Sequence, residues 1–425
     1  MKDSEIDTKK LGLIGYPLGH SWSPEIHKIL IGADYSLMPL TESELDDFFA
    51  KKDFDGINVT IPYKEKVIPY LDEMDESAKT VGAVNCIVNH DGILTGYNTD
   101  CGGLLSMLEE NHIEVSGMKC AVLGSGGASK AAQAAVKKLN GEAVVVSRSK
   151  KENCITYGEL YEKQSEFAVL INATPVGMDP NRDEMPVDLE KFTNLTAVVD
   201  IIANPMRTRL QFAAKMKGIP YLGGFEMLVR QAAYADLYFT GKLPNEETIQ
   251  ACMRLLKERM GNIVLIGMPT SGKSTLASLL SERTGREVLE MDDEIEGMMG
   301  MSIKKAFAEH GEAYFRGKET ECAQSLRSRK GLIISCGGGV IKNEENMRYL
   351  SENGTVVWIR RDIEKLFGTE SRPLSTTKEA MEKLFAERKD LYEKYSDIVL
   401  ENNGDLEEAV NLLTDIAVGE EGKNL

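Results

Sequence analysis

The sequence predicts an α/β protein in which mainly parallel sheets are layered with helices. Short apolar, β-rich runs alternate with helical segments along the chain, as parallel α/β folds require. Two of these runs lead through glycine-bounded turns toward helical patterns, at 119–139 and 262–275, which is the local pattern of a nucleotide-binding loop. A length of 425 residues exceeds what one hydrophobic core usually serves, so we expect two or three domains.

Composition and charge argue against several functional classes. Hydrophobic residues at 42% and charged residues at 28% are ordinary for a soluble chain, and no apolar run reaches the roughly 20 residues of a membrane-spanning helix. The first residues lack the pattern of a secretory signal. A net charge of −17 argues against nucleic acid or an anionic membrane as a partner, because both demand a basic face. The seven cysteines form no CxxC pair, and we expect reduced thiols in a cytoplasmic protein.

Nine apolar runs are predicted to form strands. Six lie in the first part of the chain (LGLIGYP, GINVTIP, CAVLG, AVVVSRS, AVLINATP and AVVDII) and three in the second (IVLIG, GLIISC and TVVWIR). The main domain boundary is expected at Gly261, where a helix that opens after Pro244 and Asn245 stops and a new strand begins at once. A lesser boundary is expected between Asn98 and Leu105, ahead of the first nucleotide-binding unit.

The first glycine loop has the context of a dinucleotide site. Between a strand and a helix expected from Ser129, backbone amides can approach a pyrophosphate; the loop residues are Gly124, Gly126, Gly127 and Ala128. Ser129 replaces the third glycine of the usual fingerprint, and by itself the loop could equally be a tight turn. About twenty residues on, where an acidic residue would hold the ribose of NAD, stand Ser147, Arg148 and Ser149, which favours NADP. For Arg148, a solvated surface charge is the alternative.

A set of polar residues upstream is suited to a polyhydroxylated ring. Ser21 and Ser23 precede a helix expected from Pro24, where their hydroxyls can bond a carboxylate near the positive helix end. Further amides, hydroxyls and charges follow predicted strands, at Asn58, Thr60, Lys64, Asn85, Asn98 and Asp100. A lysine beside an aspartate makes a proton-transfer pair. Taken singly, each residue has an ordinary structural explanation as a helix cap, a turn former or a surface charge.

With these motifs in order, the first part of the chain resembles the shikimate dehydrogenase family over residues 10 to 255, including INATPVGM from Ile171 and GGFEMLVRQA from Gly223. The resemblance implies reduction of 3-dehydroshikimate to shikimate by NADPH, with Lys64 and Asp100 as the catalytic pair. It implies that the substrate carboxylate is held by Ser21 and Ser23, and that ring oxygens are contacted by Thr60, Asn85, Asp100 and Gln231. Ala203 replaces a tyrosine that the family has near the nicotinamide.

The second glycine loop, GMPTSGKS, meets the full P-loop pattern between a strand and a helix. Backbone amides would cradle phosphates, Lys273 would neutralise the β and γ oxygens, and the hydroxyl of Ser274 would ligate Mg²⁺. The expected ATP-binding residues are Gly267, Gly272, Lys273, Ser274 and Thr275. The loop alone does not identify the phosphate acceptor, because GTPases, ATPases and small-molecule kinases all use it.

Downstream motifs from Glu290 to Glu321, then IISCGGGV, SRPL and AERKDLY, resemble the shikimate kinase family over about residues 262 to 415. The resemblance implies ATP-dependent phosphorylation of shikimate. Asp292 would orient or deprotonate the hydroxyl, and Arg372 would stabilise transferred charge from a lid. The carboxylate and the ring would be held by Arg316, Arg388, Gly337, Gly338 and Gly339.

The kinase motifs also have alternative explanations and departures. Arg316 and Glu319 could form an ordinary helix ion pair, Arg388 could be a solvated charge, and the glycines could form only a turn. Glu290 stands where the family has an aspartate near the metal, and the lid segment is short.

We therefore predict a bifunctional shikimate-pathway enzyme using NADP, ATP and Mg²⁺, with small-molecule substrates and an undetermined oligomeric state. Its predicted parts are a substrate-binding α/β domain at 1–100 with a returning helical part near 225–260, a Rossmann-like NADP domain at 101–224, and a P-loop kinase domain at 261–425. Two alternatives stay open: a working dehydrogenase with a degenerate, regulatory P-loop module, and a quinate-type dehydrogenase using NAD. A non-catalytic scaffold leaves two sets of polar site residues unexplained.

Overall fold

The computed structural model describes residues 9–19, 21–366 and 378–419. The chain divides into two units, Met1–Met253 and Arg254–Leu425. The division falls inside a helix that spans Glu246–Met260, ahead of the boundary expected at Gly261. Within the described residues, no helix combines the length and apolar character needed to cross a membrane.

The first unit begins with a six-stranded sheet in the order β2-β1-β3-β5-β6-β4. Its strands are β1 Leu11–Gly15, β2 Tyr35–Pro39, β3 Gly56–Val59, β4 Glu73–Met74, β5 Cys86–His90 and β6 Ile93–Tyr97. Its helices are α1 Ser23–Ile31, α2 Leu45–Lys51 and α3 Glu76–Val81. Phe49, Phe54 and Ile57 are among the buried apolar side chains that form the core on one face of this sheet.

This first sheet is mixed, whereas the repeating pattern of the sequence predicts parallel layers. Strand β5 runs antiparallel to both β3 and β6. Asp91 and Gly92 both have positive φ in the two-residue connection between β5 and β6, the backbone that a tight hairpin requires. The Asp-Gly pair is therefore the sequence signal of the hairpin. Because β5 is antiparallel, its first residues lie at the same sheet edge as the last residues of β3.

A second sheet of six parallel strands follows, in the order β12-β11-β10-β7-β8-β9. Its strands are β7 Lys119–Leu123, β8 Glu142–Ser147, β9 Cys154–Thr156, β10 Phe167–Asn172, β11 Ala197–Asp200 and β12 Tyr221–Gly223. The accompanying helices are α4 Asp100–Glu110, α5 Gly127–Lys138, α6 Tyr157–Glu162, α7 Arg209–Met216, α8 Gly224–Thr240 and α9 Glu246–Met260. Counted from β7, this is the doubly wound order of a dinucleotide-binding fold.

Helix α8 follows the second sheet along the chain but packs against α1 and α4. Gly103 of α4 allows this approach, because a Cβ at that position would stand 2.8 Å from the backbone nitrogen of Gln231. At the other end of α8, the ring of Phe239 lies against Gly56 and joins a buried cluster with Leu11 and Cys86. Small residues thus bring α8 onto the first sheet and place Gln231 next to the start of α4.

The second unit contains a parallel five-stranded sheet in the order β14-β15-β13-β16-β17. Its strands are β13 Asn262–Ile266, β14 Val288–Glu290, β15 Ile333–Ser335, β16 Gly354–Arg360 and β17 Ile398–Glu401. Its helices are α10 Lys273–Thr284, α11 Met291–Met299, α12 Ile303–Ser325, α13 Glu344–Ser351, α14 Lys378–Tyr395 and α15 Leu406–Ala417. All nine predicted strands are present in the two units, and short strands such as β14 and β17 are additional.

Candidate functional site

A cavity of about 260 Å³ in the first unit is lined from both of its sheets and from α8. The strand ends of the first sheet, the start of α4 and the segment after β11 meet there. The cavity lining includes every residue predicted to bind or convert the first substrate: Ser21, Ser23, Thr60, Lys64, Asn85, Asp100 and Gln231. Asn58, which belongs to the polar set identified in the sequence, also lines it, as do Met227 and Leu228, to which the sequence alone assigned no role.

Lys64 and Asp100 form an ion pair in this cavity. The ammonium of Lys64 donates to Oδ2 of Asp100 at 2.7 Å, and the two side chains are 32% and 15% exposed. Asp100 is the first residue of α4, where a carboxylate is favoured by the positive helix end. A lysine proton donor and a carboxylate partner therefore face the same cavity, and this geometry suits proton transfer to a bound carbonyl.

A buried amide network fixes the other oxygen of Asp100. The side-chain amide of Asn85 donates to Asp100 Oδ1 at 2.9 Å and to Thr99 Oγ1 at 3.0 Å. Thr99 in turn donates to Gln231 Oε1 at 3.2 Å, which links α4 to α8. Thr99 belongs to the quoted GYNTD segment but was not singled out from the sequence, and its partner stands 132 residues away. The network holds Asn85, Asp100 and Gln231 in one arrangement.

The two serines lie at the entrance of α1. The helix begins at Ser23, one residue earlier than predicted, with Pro24 in its first turn. Ser21 Oγ donates to Ser23 Oγ at 3.1 Å and accepts from the backbone amide of Ser23 at 3.2 Å. Both hydroxyls thus face one point near the positive end of a nine-residue helix, an arrangement that fits an anionic group.

The segment after β11 carries Ala203 into the cavity wall, and a buried carboxylate anchors it. Asp200 is fully buried and accepts from the Thr208 hydroxyl at 2.7 Å, and from the Asn172 amide and the Ile202 backbone at 3.1 Å each. Burial raises the pKa of Asp200 to about 6, although these three donors oppose the rise. The position where the family has a tyrosine therefore lines the cavity with a methyl group.

The first glycine loop connects β7 to α5. Gly124 has φ +103, and a Cβ there would stand 2.9 Å from the carbonyl oxygen of Ala173, so that position requires glycine. Helix α5 begins at Gly127 with Gly126 as its cap, two residues before the predicted start at Ser129. Ser129 is buried inside the first turn, so it packs rather than faces the loop. Gly126 is exposed and Ala128 half-buried at the helix end, where a pyrophosphate fits.

The residues predicted to select the nicotinamide cofactor follow β8. Ser147 is buried, whereas Arg148 is exposed. Lys151, which we did not single out from the sequence, donates to the hydroxyl of Ser125 in the glycine loop at 2.9 Å. Described residues around this loop thus supply two cations and no acidic residue at the end of β8, which suits a phosphorylated ribose.

The P-loop of the second unit lies between β13 and α10. Gly272 caps α10 with φ +96, a conformation that favours glycine. Lys273 is only 8% exposed, and its ammonium donates to the carbonyls of Gly267 and Met268 at 3.0 and 2.9 Å. Ser274 and Thr275 are exposed at the start of α10, where their hydroxyls can reach a nucleotide or its metal ion.

Three predicted substrate residues converge on the three glycines after β15. A Cβ at Gly337 would stand 2.6 Å from Asp292 Oδ1, and one at Gly339 would stand 2.7 Å from a guanidinium nitrogen of Arg316. Arg388, predicted as a ligand with a solvated charge as the alternative, is buried and donates to the carbonyl of Gly338 at 2.7 Å. The glycines therefore admit the acid and the two arginines to a single site.

Residues behind this site hold the arginines in place. The ion pair between Arg316 and Glu319 that was considered as an alternative is present at 3.0 Å, and Glu319 is 2% exposed. Burial raises the pKa of Glu319, while the charge of Arg316 opposes the rise. Tyr392, which sequence reasoning missed, donates to the carbonyl of Gly338 at 2.7 Å beside Arg388. Arg316 is also paired with Glu312 at 3.1 Å, so two carboxylates hold its guanidinium against Gly339.

The residues predicted to hold Mg²⁺ are Ser274 and Glu290, and the residue predicted for the lid is Arg372. Glu290 ends β14 and precedes α11, and it is half-buried. Among the described side chains, no group of three or more His, Cys, Asp or Glu residues is arranged to hold a metal ion. The chain's expected contribution to Mg²⁺ therefore stays at Ser274 and Glu290. Arg372 lies outside the described residues.

Fold and sites together define two enzyme classes in one chain, a dinucleotide-dependent oxidoreductase and a P-loop phosphotransferase. A family model for the shikimate dehydrogenase substrate-binding domain matches residues 13–87, and one for shikimate kinase matches residues 269–417. An NADP(+) shikimate dehydrogenase of Halothermothrix orenii is 40% identical over 270 residues, covering 56% of this chain and 92% of the relative. Its counterpart in Carboxydothermus hydrogenoformans is 36% identical, covering 59% and 98%.

Solved structures give the same assignment for the first unit. A chorismate mutase/shikimate 5-dehydrogenase fusion from Clostridium acetobutylicum has a TM-score of 0.56 and 34% identity, covering 59% of this chain and 98% of that one. Shikimate 5-dehydrogenase of Thermus thermophilus, solved with NADP(H) and shikimate, has a TM-score of 0.54 and 30% identity, covering 58% and 99%. The chain belongs to the shikimate dehydrogenase family and carries a shikimate kinase domain fused behind it.

Proposed function

We propose that this bifunctional shikimate-pathway enzyme reduces 3-dehydroshikimate to shikimate with NADPH and phosphorylates shikimate with ATP. The observation that carries the proposal is the convergence of seven separately predicted polar residues on one cavity around the 2.7 Å pair of Lys64 and Asp100. A second convergence, of Asp292, Arg316 and Arg388 on three glycines near a complete P-loop, supports the kinase activity. The seven unpaired cysteines support a cytoplasmic location.

In the first site, NADPH supplies a hydride when bound. Lys64 Nζ would donate a proton to the ketone oxygen, and Asp100 would orient the ammonium through its 2.7 Å hydrogen bond. Ser21 and Ser23 would bind the carboxylate at the start of α1. Asn85 and Gln231 are held by Thr99; Asn85 would accept from a ring hydroxyl through the remaining lone pair of Oδ1, and Gln231 would donate its remaining amide hydrogen.

In the second site, ATP would supply the phosphoryl group, and the residues that would hold Mg²⁺ are Ser274 and Glu290. The residues fit an anionic substrate, because Nε of Arg388 is buried without a hydrogen-bond partner in the described part of the chain and would be available to a carboxylate. Asp292 stands against the glycines beside it, where a substrate hydroxyl would be oriented or deprotonated. Lys273 would exchange its bonds to Gly267 and Met268 for phosphate oxygens.

A coupled assay tests both activities on one preparation. The chain is supplied with 3-dehydroshikimate, NADPH, ATP and Mg²⁺, and shikimate 3-phosphate is measured together with NADPH oxidation. Lys64→Ala should lower dehydrogenase turnover by on the order of 10² to 10⁴, the usual contribution of a positioned acid, and leave phosphorylation of added shikimate intact. Lys273→Ala should do the reverse.

The results of this assay distinguish the bifunctional enzyme from the two alternatives. Reduction without any phosphorylation would favour a regulatory P-loop module, which ATP binding without shikimate-dependent turnover would confirm. Preference for quinate with NAD would favour the quinate-type enzyme. Loss of both activities in one lysine variant, with its folding verified by circular dichroism, would contradict two separate sites.

A further inference from the structure

Arg361 follows directly after β16, the strand that pairs with β13 on the side leading into the P-loop. Its Nε is buried and has no hydrogen-bond partner among the residues that the structure describes. Across the described part of the chain, no ion pair of Arg361 is found either. A buried guanidinium nitrogen without a partner is destabilising by itself, so a partner supplied by a ligand would be favourable.

The position of Arg361 points to the nucleotide site. One terminal nitrogen of its guanidinium lies 3.9 Å from where a Cβ of Gly272 would stand. Gly272 caps α10, the helix whose positive end faces the predicted phosphates. Asn402 lies against the same glycine and donates to the carbonyl of Ser271 at 2.8 Å, so the wall of the loop on this side is built from fixed side chains.

The neighbouring arginine shows a contrasting arrangement. Arg360 forms an ion pair with Glu401 on the adjacent strand β17, and its guanidinium stands 5.5 Å from the ring centroid of Trp358. Arg360, the last residue of β16, therefore has partners within the sheet, whereas Arg361 stands one residue beyond the strand. Arg361 is therefore a cation at the P-loop that no described protein contact accounts for.

We propose that Arg361 binds the phosphate chain of the nucleotide held by the P-loop. Its planar guanidinium would donate through Nε and a terminal nitrogen to non-bridging phosphate oxygens, which also gives the buried Nε a partner. The inference rests on the proposed kinase function, since it names a further nucleotide-binding residue of that site. Arg361 acts in binding and charge neutralisation beside Lys273, not in proton transfer.

Calorimetric titration of the full chain with ADP and with ATP tests this role without relying on turnover. Arg361→Ala should weaken both nucleotides about ten- to a hundredfold, the loss expected for a charge-assisted hydrogen bond. Arg361→Lys should recover only part of the affinity, because an ammonium cannot form the bidentate contact. Arg360→Ala is the matched control and should change affinity less than about threefold, while NADPH oxidation by the first unit stays at the wild-type rate in every variant.

Three other results of these titrations would overturn the role proposed for Arg361. Wild-type ADP and ATP affinity in Arg361→Ala would overturn the inference while leaving the kinase function standing. Equal losses of nucleotide affinity in Arg360→Ala and Arg361→Ala would show that positive charge in general, and not a specific contact of Arg361, favours binding. That result would also overturn the inference. A wild-type chain that binds neither nucleotide would refute the kinase proposal, and the role of Arg361 with it.

Discussion

Asp200→Asn removes a titratable group that folding places in an unfavourable environment. The carboxyl is fully buried and its pKa is raised from 3.8 to about 6 by burial. An asparagine has the same shape and can keep the bonds from Asn172 and Ile202, while the Thr208 hydroxyl can turn from donor to acceptor. The variant should therefore fold with its neighbours in place and differ mainly in its response to pH.

The direction and size of the expected change in unfolding free energy follow from the raised pKa of Asp200. Because the folded carboxyl holds its proton more tightly than the unfolded one, its contribution to stability is fully present below about pH 4 and is lost as the pH rises through about 6. The full loss is about 3 kcal/mol, of which roughly 2 kcal/mol falls between pH 4.5 and pH 7. In Asp200→Asn this loss is absent. Relative to wild type, the variant should therefore gain about 2 kcal/mol over that interval.

Urea unfolding at the two pH values measures the difference. Trp22 lies in the first unit and Trp358 in the second, so a Trp358→Phe background leaves a single tryptophan that reports the unit containing Asp200. Comparing wild type with variant in this background cancels the other titrating groups. A wild-type-minus-variant difference that does not change with pH, or that changes with the opposite sign, would refute the assignment of a raised pKa to Asp200.

Two further expectations concern cofactor choice and the extent of the second unit. Arg148→Ala should weaken NADPH binding by roughly 1.5 to 3 kcal/mol and leave NADH binding unchanged. The control variant Lys150→Ala should change the binding of neither cofactor. Equal losses for both cofactors would show that Arg148 does not bind the 2′-phosphate. Because Arg286 donates to the carbonyl of Glu258 in the last turn of α9, fragment 254–425 should unfold at a higher urea concentration than fragment 261–425, which lacks Glu258. The expected difference is at least about 1 kcal/mol in stability, and equal midpoints would contradict it.

The end of α9 next to Gly261 can be predicted from the local sequence, but the contact that stabilises it cannot. The sequence shows that a helix stops there and a strand starts, and the structure agrees. The unit boundary nevertheless lies at Met253, and the buried guanidinium of Arg286 holds the last turn of α9 through backbone carbonyls. Burial lowers the pKa of Arg286, which the charge of Glu258 opposes. No pattern within the helix could reveal that the carbonyl of Glu258 has a partner 28 residues further on.

The sequence by itself determined the features written in contiguous residues. A strand, a glycine turn and a helix follow one another within about twenty positions at Gly124 and again at Gly272, because backbone geometry allows few residues other than glycine there. Only the tertiary structure determined which distant side chains are in contact and which are buried away from water. It brought Gln231 to Thr99, Arg388 to Gly338 and Lys151 to Ser125, and it left Nε of Arg361 without a partner among the described residues. The physical reason is that periodicity specifies the buried face of each element, whereas desolvation and hydrogen bonding depend on which faces pack together.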